Sequence, residues 1–282
     1  MSTLASFSSN IARLIEAIGG AEFPELLIGT IKSLVPVEDA TVIVYPEEGL
    51  PVVEYFEVPE EGGKTTLHHF VKGAFLLDPY YLAAVSDRRF GLFTLKELAP
   101  SGFRDSEYYR NYYRNCTLQD ECGYLMPLGD EGFINIALGK SRPRARFGKK
   151  ELELLRDALP ALQSLCQQHW QREDQQGSPE GISLRQQMGQ ALADFGTSLL
   201  TERETQVIHL VLHGHSTKTV AEKLNISMET VKLHRKHAYA KLEVGSQAEL
   251  FYLFLDSLMS ATNYTGGDAL VEYMQPPGSN AQ

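Results

Sequence analysis

Cysteine, tryptophan and long apolar runs are scarce in this chain of 282 residues. Its three cysteines, Cys116, Cys122 and Cys166, are too few and too unevenly spaced for a disulfide framework, which favours a reducing cytoplasm. No apolar run reaches the roughly 18 residues that a membrane-spanning helix needs. The first ten residues lack a basic start and a long apolar core, so we expect no secretory signal. These absences favour a cytoplasmic protein without a membrane partner.

Patterns that mark an enzyme or a metal site are missing as well. The sequence has no glycine-rich phosphate loop and no nucleophile elbow. Its eight histidines do not stand with cysteines or carboxylates at ligand spacing. Cys116 and Cys122 are candidates for a redox pair, but nothing in the sequence lowers the pKa of either thiol, so two isolated buried thiols are the favoured interpretation. We therefore predict no catalytic residue, no metal and no cofactor.

Four helix start signals follow one another between Leu200 and Leu255. Each is a Ser or Thr whose side chain can accept a hydrogen bond from the first helical turn: Thr201, Ser216, Ser227 and Ser246. Apolar residues recur behind each signal at helical spacing. The second and third helices are separated only by the short turn 225–227. Two helices joined by such a turn, the second one basic, predict a helix-turn-helix.

The third of these helices, from about residue 228 to 242, carries the positive charge. Lys232, Arg235 and Lys236 lie largely opposite Val231 and Ala238 on it, and a basic helix face suits the major groove of DNA. The chain as a whole has a net charge of −10, and over residues 196–282 seven Lys and Arg stand against nine Asp and Glu. We therefore expect weak non-specific affinity, strong salt dependence and a need for dimerisation.

The motifs LTERE, VAEKL, NIS, TVKLH and AYAKLEV, taken in this order, resemble the DNA-binding domain of LuxR-type transcription regulators. The resemblance implies base contacts from Lys232, Leu233 and Lys236. It implies contacts at or near the DNA backbone from Thr217, Lys218, Thr230, Val231, His234 and Arg235. It also implies a homodimer on double-stranded DNA, paired through the fourth helix by Leu250, Phe251 and Phe254. RNA polymerase is a further expected partner if the protein activates transcription.

The N-terminal part changes from helix to strand and back. Helices are expected at about 3–18 and 24–34, hairpins at 40–58 and 121–138, a helical insertion between the hairpins, and a long closing helix at 148–171 that Pro160 should kink. This order predicts an α+β domain with one antiparallel sheet and helices on one face. It resembles the GAF/PAS-like sensor domains that precede LuxR-type DNA-binding domains.

We therefore divide the chain into four parts. Residues 1–171 form the sensor domain, 172–195 the linker, 196–260 the all-α four-helix helix-turn-helix domain, and 261–282 a tail with a possible docking turn at 269–274. The linker is charged and contains Gly, Pro and Ser without an apolar period.

A small-molecule effector is expected under the segment 70–116, which closes a pocket over the sheet in domains of this kind. Tyrosine offers an apolar body with a hydroxyl, and arginine can hold a carboxylate. The candidate ligand-binding residues are Tyr80, Tyr81, Tyr108, Tyr109, Tyr112 and Arg110. The alternative is that these tyrosines only pack, and the identity of the effector stays open.

The function predicted from these observations is that of a one-component regulator, in which an effector in the sensor domain controls DNA binding. One alternative is an acyl-homoserine-lactone quorum-sensing receptor. That branch uses a Trp-Tyr-Asp-Trp set in its sensor domain. Trp170 is the one tryptophan of this chain, so the lactone is not supported as the effector. A second alternative is control by protein–protein contact. A response regulator is disfavoured because Asp39 precedes its strand instead of ending it, and no catalytic constellation supports a fused enzyme.

Overall fold

A computed structural model describes residues 3–47, 49–57, 67, 70–113, 118–130, 132–171, 184–260 and 266–274. The chain divides into two compact units. The first unit comprises Met1–Thr65, Pro79–Leu98 and Thr117–Gly181, and the second comprises Thr66–Asp78, Ala99–Cys116 and Ile182–Gln282.

The first unit is built on a five-stranded antiparallel sheet with the strand order β2-β1-β5-β4-β3. The two long central strands, β4 and β5, form a hairpin, and β1 pairs with β5 along seven residues from Asp39 to Tyr45. The strands are β1 (Asp39–Tyr45), β2 (Val52–Phe56), β3 (Gly91–Thr94), β4 (Asp120–Leu128) and β5 (Gly132–Lys140).

Three helices cover one face of this sheet: α1 (Thr3–Glu16), α2 (Phe23–Leu34) and α6 (Lys149–Trp170). Because side chains alternate along a strand, this face takes the even-numbered residues of β4 and β5, among them Tyr124 and Ile136. They join Leu27 and Leu162 in the main apolar core of the unit. The closing helix α6 runs through Pro160 as one helix.

A further helix, α3 (Pro79–Val85), contacts β4 and β5 from the opposite face of the sheet. The expectation that helices lie on one face alone was therefore wrong. Strands β4 and β5 are buried along nearly their whole length and do not alternate between buried and exposed residues. This pattern is typical of a sheet that is covered on both faces. The short helix α4 (Leu95–Leu98) follows β3.

The second unit contains helices and two short 3₁₀ turns, Ala74–Leu77 and Phe103–Asp105. Its helices are α5 (Glu107–Tyr112), α7 (Leu184–Asp194), α8 (Glu202–Leu212), α9 (Thr217–Leu224), α10 (Met228–Lys241), α11 (Gln247–Ser260) and α12 (Ala269–Met274). Helix α10 packs on α8 and α9, whereas α11 packs on α5, α7 and α12. Two segments that the sequence assigns to the sensor, 66–78 and 99–116, are thus grouped with the helix-turn-helix.

The predicted fold class is confirmed: an antiparallel sheet with helices, followed by a helical domain with a helix-turn-helix. The docking turn expected at 269–274 is helix α12. The domain boundary near residue 171 stays a prediction. The linker at 172–183, the polar break at 59–64, His68, His69 and Cys116 lie outside the described residues.

Candidate functional site

The turn of the helix-turn-helix is set by Asn225 and Ser227. Asn225 ends α9 in the left-handed conformation, at φ 53° and ψ 49°, which asparagine tolerates better than most residues. The Ile226 N–H then donates to the Ala221 carbonyl over 3.0 Å. Ser227 starts α10 by accepting a 3.0 Å hydrogen bond from the Thr230 N–H. The chain thus reverses between α9 and α10 with its backbone groups satisfied.

Helix α10 is oriented by two small side chains on its inner face. Val231 is 1% exposed and Ala238 is fully buried, where α10 packs on α8 and α9. Lys232 and Lys236 are exposed on the outer face, and Leu233 is 50% exposed between them. The three side chains predicted to contact bases therefore share one solvent-facing surface, which we call the α10 surface: Lys232, Leu233 and Lys236.

An ion pair fixes the far end of α10 to the start of α8. The Lys241 ammonium lies 2.6 Å from Glu204 Oε2, and the Thr201 N–H donates to the same oxygen over 2.8 Å. Burial alone would raise the pKa of Glu204, but the hydrogen bonds from Lys241 and Thr201 outweigh it and lower the pKa to about 2. Lys241 is thus occupied within the domain and contributes less to the α10 surface.

The side chains predicted to lie near the DNA backbone fall into two groups around this surface. Thr217 and Lys218 stand in the first turn of α9, and the Thr230 hydroxyl lies 2.8 Å from Ser227 Oγ in the first turn of α10. The Arg235 guanidinium lies over the Tyr239 ring at 5.9 Å, and His234 is half-buried on the same helix. Both first turns present N–H groups of the kind that bind phosphate.

Val231 was predicted to lie at or near the DNA backbone, and this stays a prediction. Its side chain is buried, and its N–H donates to the Ser227 carbonyl over 3.1 Å. The Val231 side chain therefore also belongs to the core that orients α10.

The predicted dimerisation residues are buried as well. Leu250 and Phe254 are fully buried and Phe251 is 2% exposed, all on the α11 face that packs against other helices of the second unit. The exposed apolar side chains of α11 are Tyr252 and Met259. In this structure the three predicted residues therefore belong to the interior of their own chain. Dimerisation through them stays a prediction, and it requires this packing to open.

The predicted effector residues are divided between the two units. Tyr80 and Tyr81 lie on α3 in the first unit, over the second face of the sheet. The Tyr81 ring lies 5.9 Å from Phe133, which stacks on Tyr45 at 4.3 Å. The Tyr80 hydroxyl donates to the Phe93 carbonyl over 3.5 Å.

A polar residue that the sequence did not single out lies on the same face. Asn135 of β5 is 5% exposed, and its Oδ1 atom has no hydrogen-bond partner among the described residues. A Cβ placed on Gly123 would lie 3.0 Å from the Tyr80 ring and 3.4 Å from Asn135 Oδ1, so the three residues are neighbours. The period of two along β5 would have found it, since Asn135 is the polar member of an otherwise apolar run, 132–138.

The other predicted effector residues belong to the second unit. The Tyr108 hydroxyl donates to Asp78 Oδ2 over 2.7 Å, and both residues are buried. Burial raises the pKa of Tyr112. Tyr109 is half-buried and stacks on Tyr113 at 5.8 Å. The Arg110 guanidinium already forms an ion pair with Glu107 of its own helix.

A cavity of about 340 Å³ opens in the first unit between α1, α2 and β2. Its wall includes Arg13 and Tyr55, together with Lys32 and Glu57, whose side chains form an ion pair at 2.6 Å. None of the predicted effector residues lines it. The cavity and the tyrosine-covered sheet face are therefore separate places.

Cys122 and Cys166 are buried free thiols, and burial raises the pKa of both. A raised thiol pKa opposes the thiolate that redox chemistry needs. Within the part of the chain that the structure describes, no cluster of His, Cys, Asp and Glu has metal-binding geometry. Over the same residues, no helix is long and apolar enough to cross a membrane.

These features define a helix-turn-helix DNA-binding domain joined to a unit with a central antiparallel sheet. Residues 198–254 match the family described as "Bacterial regulatory proteins, luxR family". A protein of Aeromonas salmonicida, named as an HTH-type transcriptional regulator in the exeN 3′ region, is 37% identical over 189 residues, which cover 65% of this chain and 96% of that protein. The nitrate/nitrite response regulator NarP of Escherichia coli (strain K12) is 47% identical over 58 residues, or 21% of this chain and 27% of NarP.

A solved structure extends the similarity to the N-terminal part. The LBD domain of VqsR from Pseudomonas aeruginosa has a TM-score of 0.52 and 26% identity, over 60% of this chain and 97% of that domain. The chain belongs to the LuxR family of bacterial regulatory proteins, and it is a transcription regulator with a helix-turn-helix at its C-terminal end.

Proposed function

We propose that this chain is a one-component regulator in which a small molecule bound on the second face of the sheet controls DNA binding by the α10 surface. The observation that carries the DNA-binding half is the α10 surface itself. Lys232, Leu233 and Lys236 are exposed side by side on a helix whose opposite face is anchored by Val231 and Ala238. A helix so held can enter a major groove without giving up its own packing.

The test of this half is the salt dependence of binding. A duplex selected from a randomised library is titrated with the chain at several salt concentrations, with fluorescence anisotropy as the readout. Lys232→Ala together with Lys236→Ala removes two positive charges from the surface that faces DNA, so the slope of log K against log[salt] should flatten, by about 1.8 when each charge offsets one phosphate. Lys150→Ala is the matched control, because Lys150 is an exposed lysine of α6 in the first unit. An unaltered slope in the double variant would refute the assignment of the α10 surface.

The effector half is supported by Asn135. A buried carbonyl oxygen without a partner carries a desolvation penalty of about 1–3 kcal/mol, which a ligand donor would relieve. The surrounding rings, Tyr45, Phe133 and Tyr81, offer flat apolar contacts for the rest of a ligand. VqsR supports the same proposal, because the solved part of that protein is named as its LBD domain. We infer a small effector with an apolar body and an N–H or O–H donor.

The effector is sought by thermal shift of the full chain against a metabolite library. A ligand present at 100 times its Kd stabilises the folded state by about 2.7 kcal/mol, which a melting scan detects. Asn135→Leu should abolish the shift given by a true effector, because it removes the acceptor and keeps the branched shape of the side chain. Gln168→Leu, which changes an exposed amide of α6, should leave the shift unchanged. A hit that stabilises both variants equally binds elsewhere and would count against this face of the sheet.

A further inference from the structure

The cavity of about 340 Å³ between α1, α2 and β2 is lined by four charged side chains, two of each sign. Arg13 comes from α1, Glu25 and Lys32 come from α2, and Glu57 directly follows β2. Their formal charges cancel. A ligand with a single net charge would therefore add a charge that the cavity does not balance, whereas a ligand that carries both signs would not.

One wall of the cavity is a hydrogen-bonded network. The Lys32 ammonium lies 2.6 Å from both carboxylate oxygens of Glu57, and the Tyr55 hydroxyl donates to Glu57 Oε1 over 2.7 Å. Burial, together with the hydrogen bond to Glu57, raises the pKa of Tyr55 to about 12, so its hydroxyl stays a donor. These three half-buried side chains hold one another in place and form a fixed polar wall.

Arg13 and Glu25 are the two lining charges outside this network. Both side chains are exposed, and neither forms an ion pair or a side-chain hydrogen bond within the part of the chain that the structure describes. They stand on different helices and do not pair with each other. The cavity therefore offers a ligand one cation and one anion at two separate points.

A glycine lies between the two charged residues of α2. Glu25, Gly29 and Lys32 recur at spacings of four and three, so they share one face of the helix. Glycine in the middle of a helix is destabilising relative to alanine. A Cβ on Gly29 would meet nothing within 4 Å, so packing does not require a glycine there. Its missing side chain leaves the cavity open between Glu25 and Lys32.

We propose that this cavity is a second ligand site, which binds a free α-amino acid with its carboxylate on Arg13 and its ammonium on Glu25. A guanidinium can donate two parallel hydrogen bonds to one carboxylate, and an ammonium donates to a carboxylate in the same charge-assisted way. An α-amino acid with an uncharged side chain carries both groups and no net charge, as the cancelling charges of the cavity require. Leu26 in the cavity wall offers an apolar contact to its side chain.

This site is distinct from the effector face around Asn135. Helices α1 and α2 cover one face of the sheet, whereas α3, with Tyr80 and Tyr81, contacts the other. The sheet lies between the two places, so both can be occupied in one chain. Binding of an amino acid in the cavity does not depend on DNA binding.

The test is a titration of the full chain with each of the standard amino acids, followed by isothermal titration calorimetry. We expect at least one amino acid with an uncharged side chain to bind with a Kd of about 1 mM or tighter. Its N-acetyl derivative lacks the ammonium, and its amide lacks the carboxylate. Each derivative should bind about 10-fold more weakly, because a hydrogen bond between charged groups is lost.

Two substitutions test the orientation of the ligand. Arg13→Gln and Glu25→Gln should each weaken binding about 10-fold. Arg13→Gln should not weaken the amide further, and Glu25→Gln should not weaken the N-acetyl derivative further, because each combination removes the same contact twice. Arg156→Gln and Asp157→Asn are the matched controls, since both residues are exposed on α6 and neither lines the cavity.

Gly29→Leu separates loss of the site from loss of the fold. It places a side chain in the cavity and gives α2 a better helix former, so the melting temperature should rise by a few degrees while binding is lost. Gly189→Leu is the matched control, because Gly189 is also a helical glycine at which a Cβ meets nothing within 4 Å. It lies on α7 and should leave binding of the amino acid unchanged.

The outcomes decide between the cavity and other places. Binding that Arg13→Gln and Glu25→Gln weaken and that Gly29→Leu abolishes supports the site. Absence of binding by every standard amino acid overturns it, and so does binding that these three variants leave unchanged. A bound amino acid whose affinity depends on Asn135 instead occupies the effector face, which likewise overturns the cavity as its site.

Discussion

The ion pair between Glu204 and Lys241 gives the most quantitative prediction. Glu204 is 4% exposed and accepts hydrogen bonds from Lys241 Nζ over 2.6 Å and from the Thr201 N–H over 2.8 Å. One carboxylate thereby closes the capping box of α8 and holds the C-terminal end of α10. Glu204→Gln keeps the size and an acceptor for the Thr201 N–H, but removes the charge that holds Lys241.

The magnitude follows from the kind of bond that is lost. A hydrogen bond to a charged group contributes about 1.5–3 kcal/mol net, and the 40% exposure of the Lys241 side chain places this one toward the lower end because solvent screens it. We expect Glu204→Gln to lower the free energy of unfolding of the second unit by about 1–2 kcal/mol. That corresponds to roughly 10-fold faster hydrogen exchange at the amides of α8 and α10.

The fluorescence of Trp170 distinguishes unfolding of the first unit from a loss of stability in the second. It is the one tryptophan of the chain and lies in the first unit, so its fluorescence reports unfolding of that unit. Hydrogen exchange followed by mass spectrometry reports α8 and α10 directly. The fluorescence midpoint should stay unchanged in Glu204→Gln while exchange in these two helices accelerates.

The stability that the charged Glu204 carboxylate contributes should depend on pH. Because the folded pKa of Glu204 is lowered to about 2, its stabilising contribution is complete above the ordinary glutamate value and is lost as pH falls through about 2. The difference between the natural sequence and Glu204→Gln should therefore shrink from about pH 4.5 towards pH 2. Lys241→Met completes a double-mutant cycle. A coupling energy near zero at pH 7, or a difference that persists at pH 2, would refute the reasoning.

Two further predictions concern the backbone of the second unit. Asp268 accepts hydrogen bonds from the N–H groups of Gly196, Ser198 and Leu270 over 2.9, 2.9 and 3.1 Å. Asp268→Ala should therefore lower the free energy of unfolding of the unit by about 2–4 kcal/mol, measured by hydrogen exchange in α11, and a loss below about 0.5 kcal/mol would contradict this. Asn225 has a left-handed backbone conformation, which glycine adopts freely and valine does not. Asn225→Gly should therefore change the free energy of unfolding by less than about 0.5 kcal/mol, and Asn225→Val should lower it by about 1–2 kcal/mol. Equal losses for the two variants, measured by urea titration with circular dichroism, would contradict this.

The helix-turn-helix was predictable because its signals are local. Thr201, Ser216 and Ser227 each accept a hydrogen bond from a backbone N–H three residues ahead, so the helix starts can be read from the sequence alone. The hairpins were predictable for a similar reason, since β-branched residues flank turn residues within a few positions. The first three helices of this domain end within about two residues of their predicted ends, and the fourth starts as predicted after Ser246 but continues to Ser260, beyond the predicted stretch that ends at Leu255.

The tyrosines were not predictable in the same way, because their partners are far away in sequence. Tyr80 and Tyr108 have the same residue type and similar burial, yet one is neighbour to Gly123 and the other donates to Asp78. A tyrosine-rich pattern indicates that rings will be buried, but not which carboxylate or which strand they will meet. The burial of Phe251 was hidden for the same reason, since its helix packs on a segment more than a hundred residues earlier.

The charge of the second unit bears on how strongly one copy of the chain would bind DNA. Lys241 is held by Glu204, and Lys232 lies 2.8 Å from Glu229, so two of the four cations of α10 already lie beside a carboxylate. One copy of the domain should therefore bind DNA weakly, and a pair bound to two half-sites should bind far more tightly because the second contact is intramolecular. Preventing the pairing of two copies removes this gain without touching a base contact.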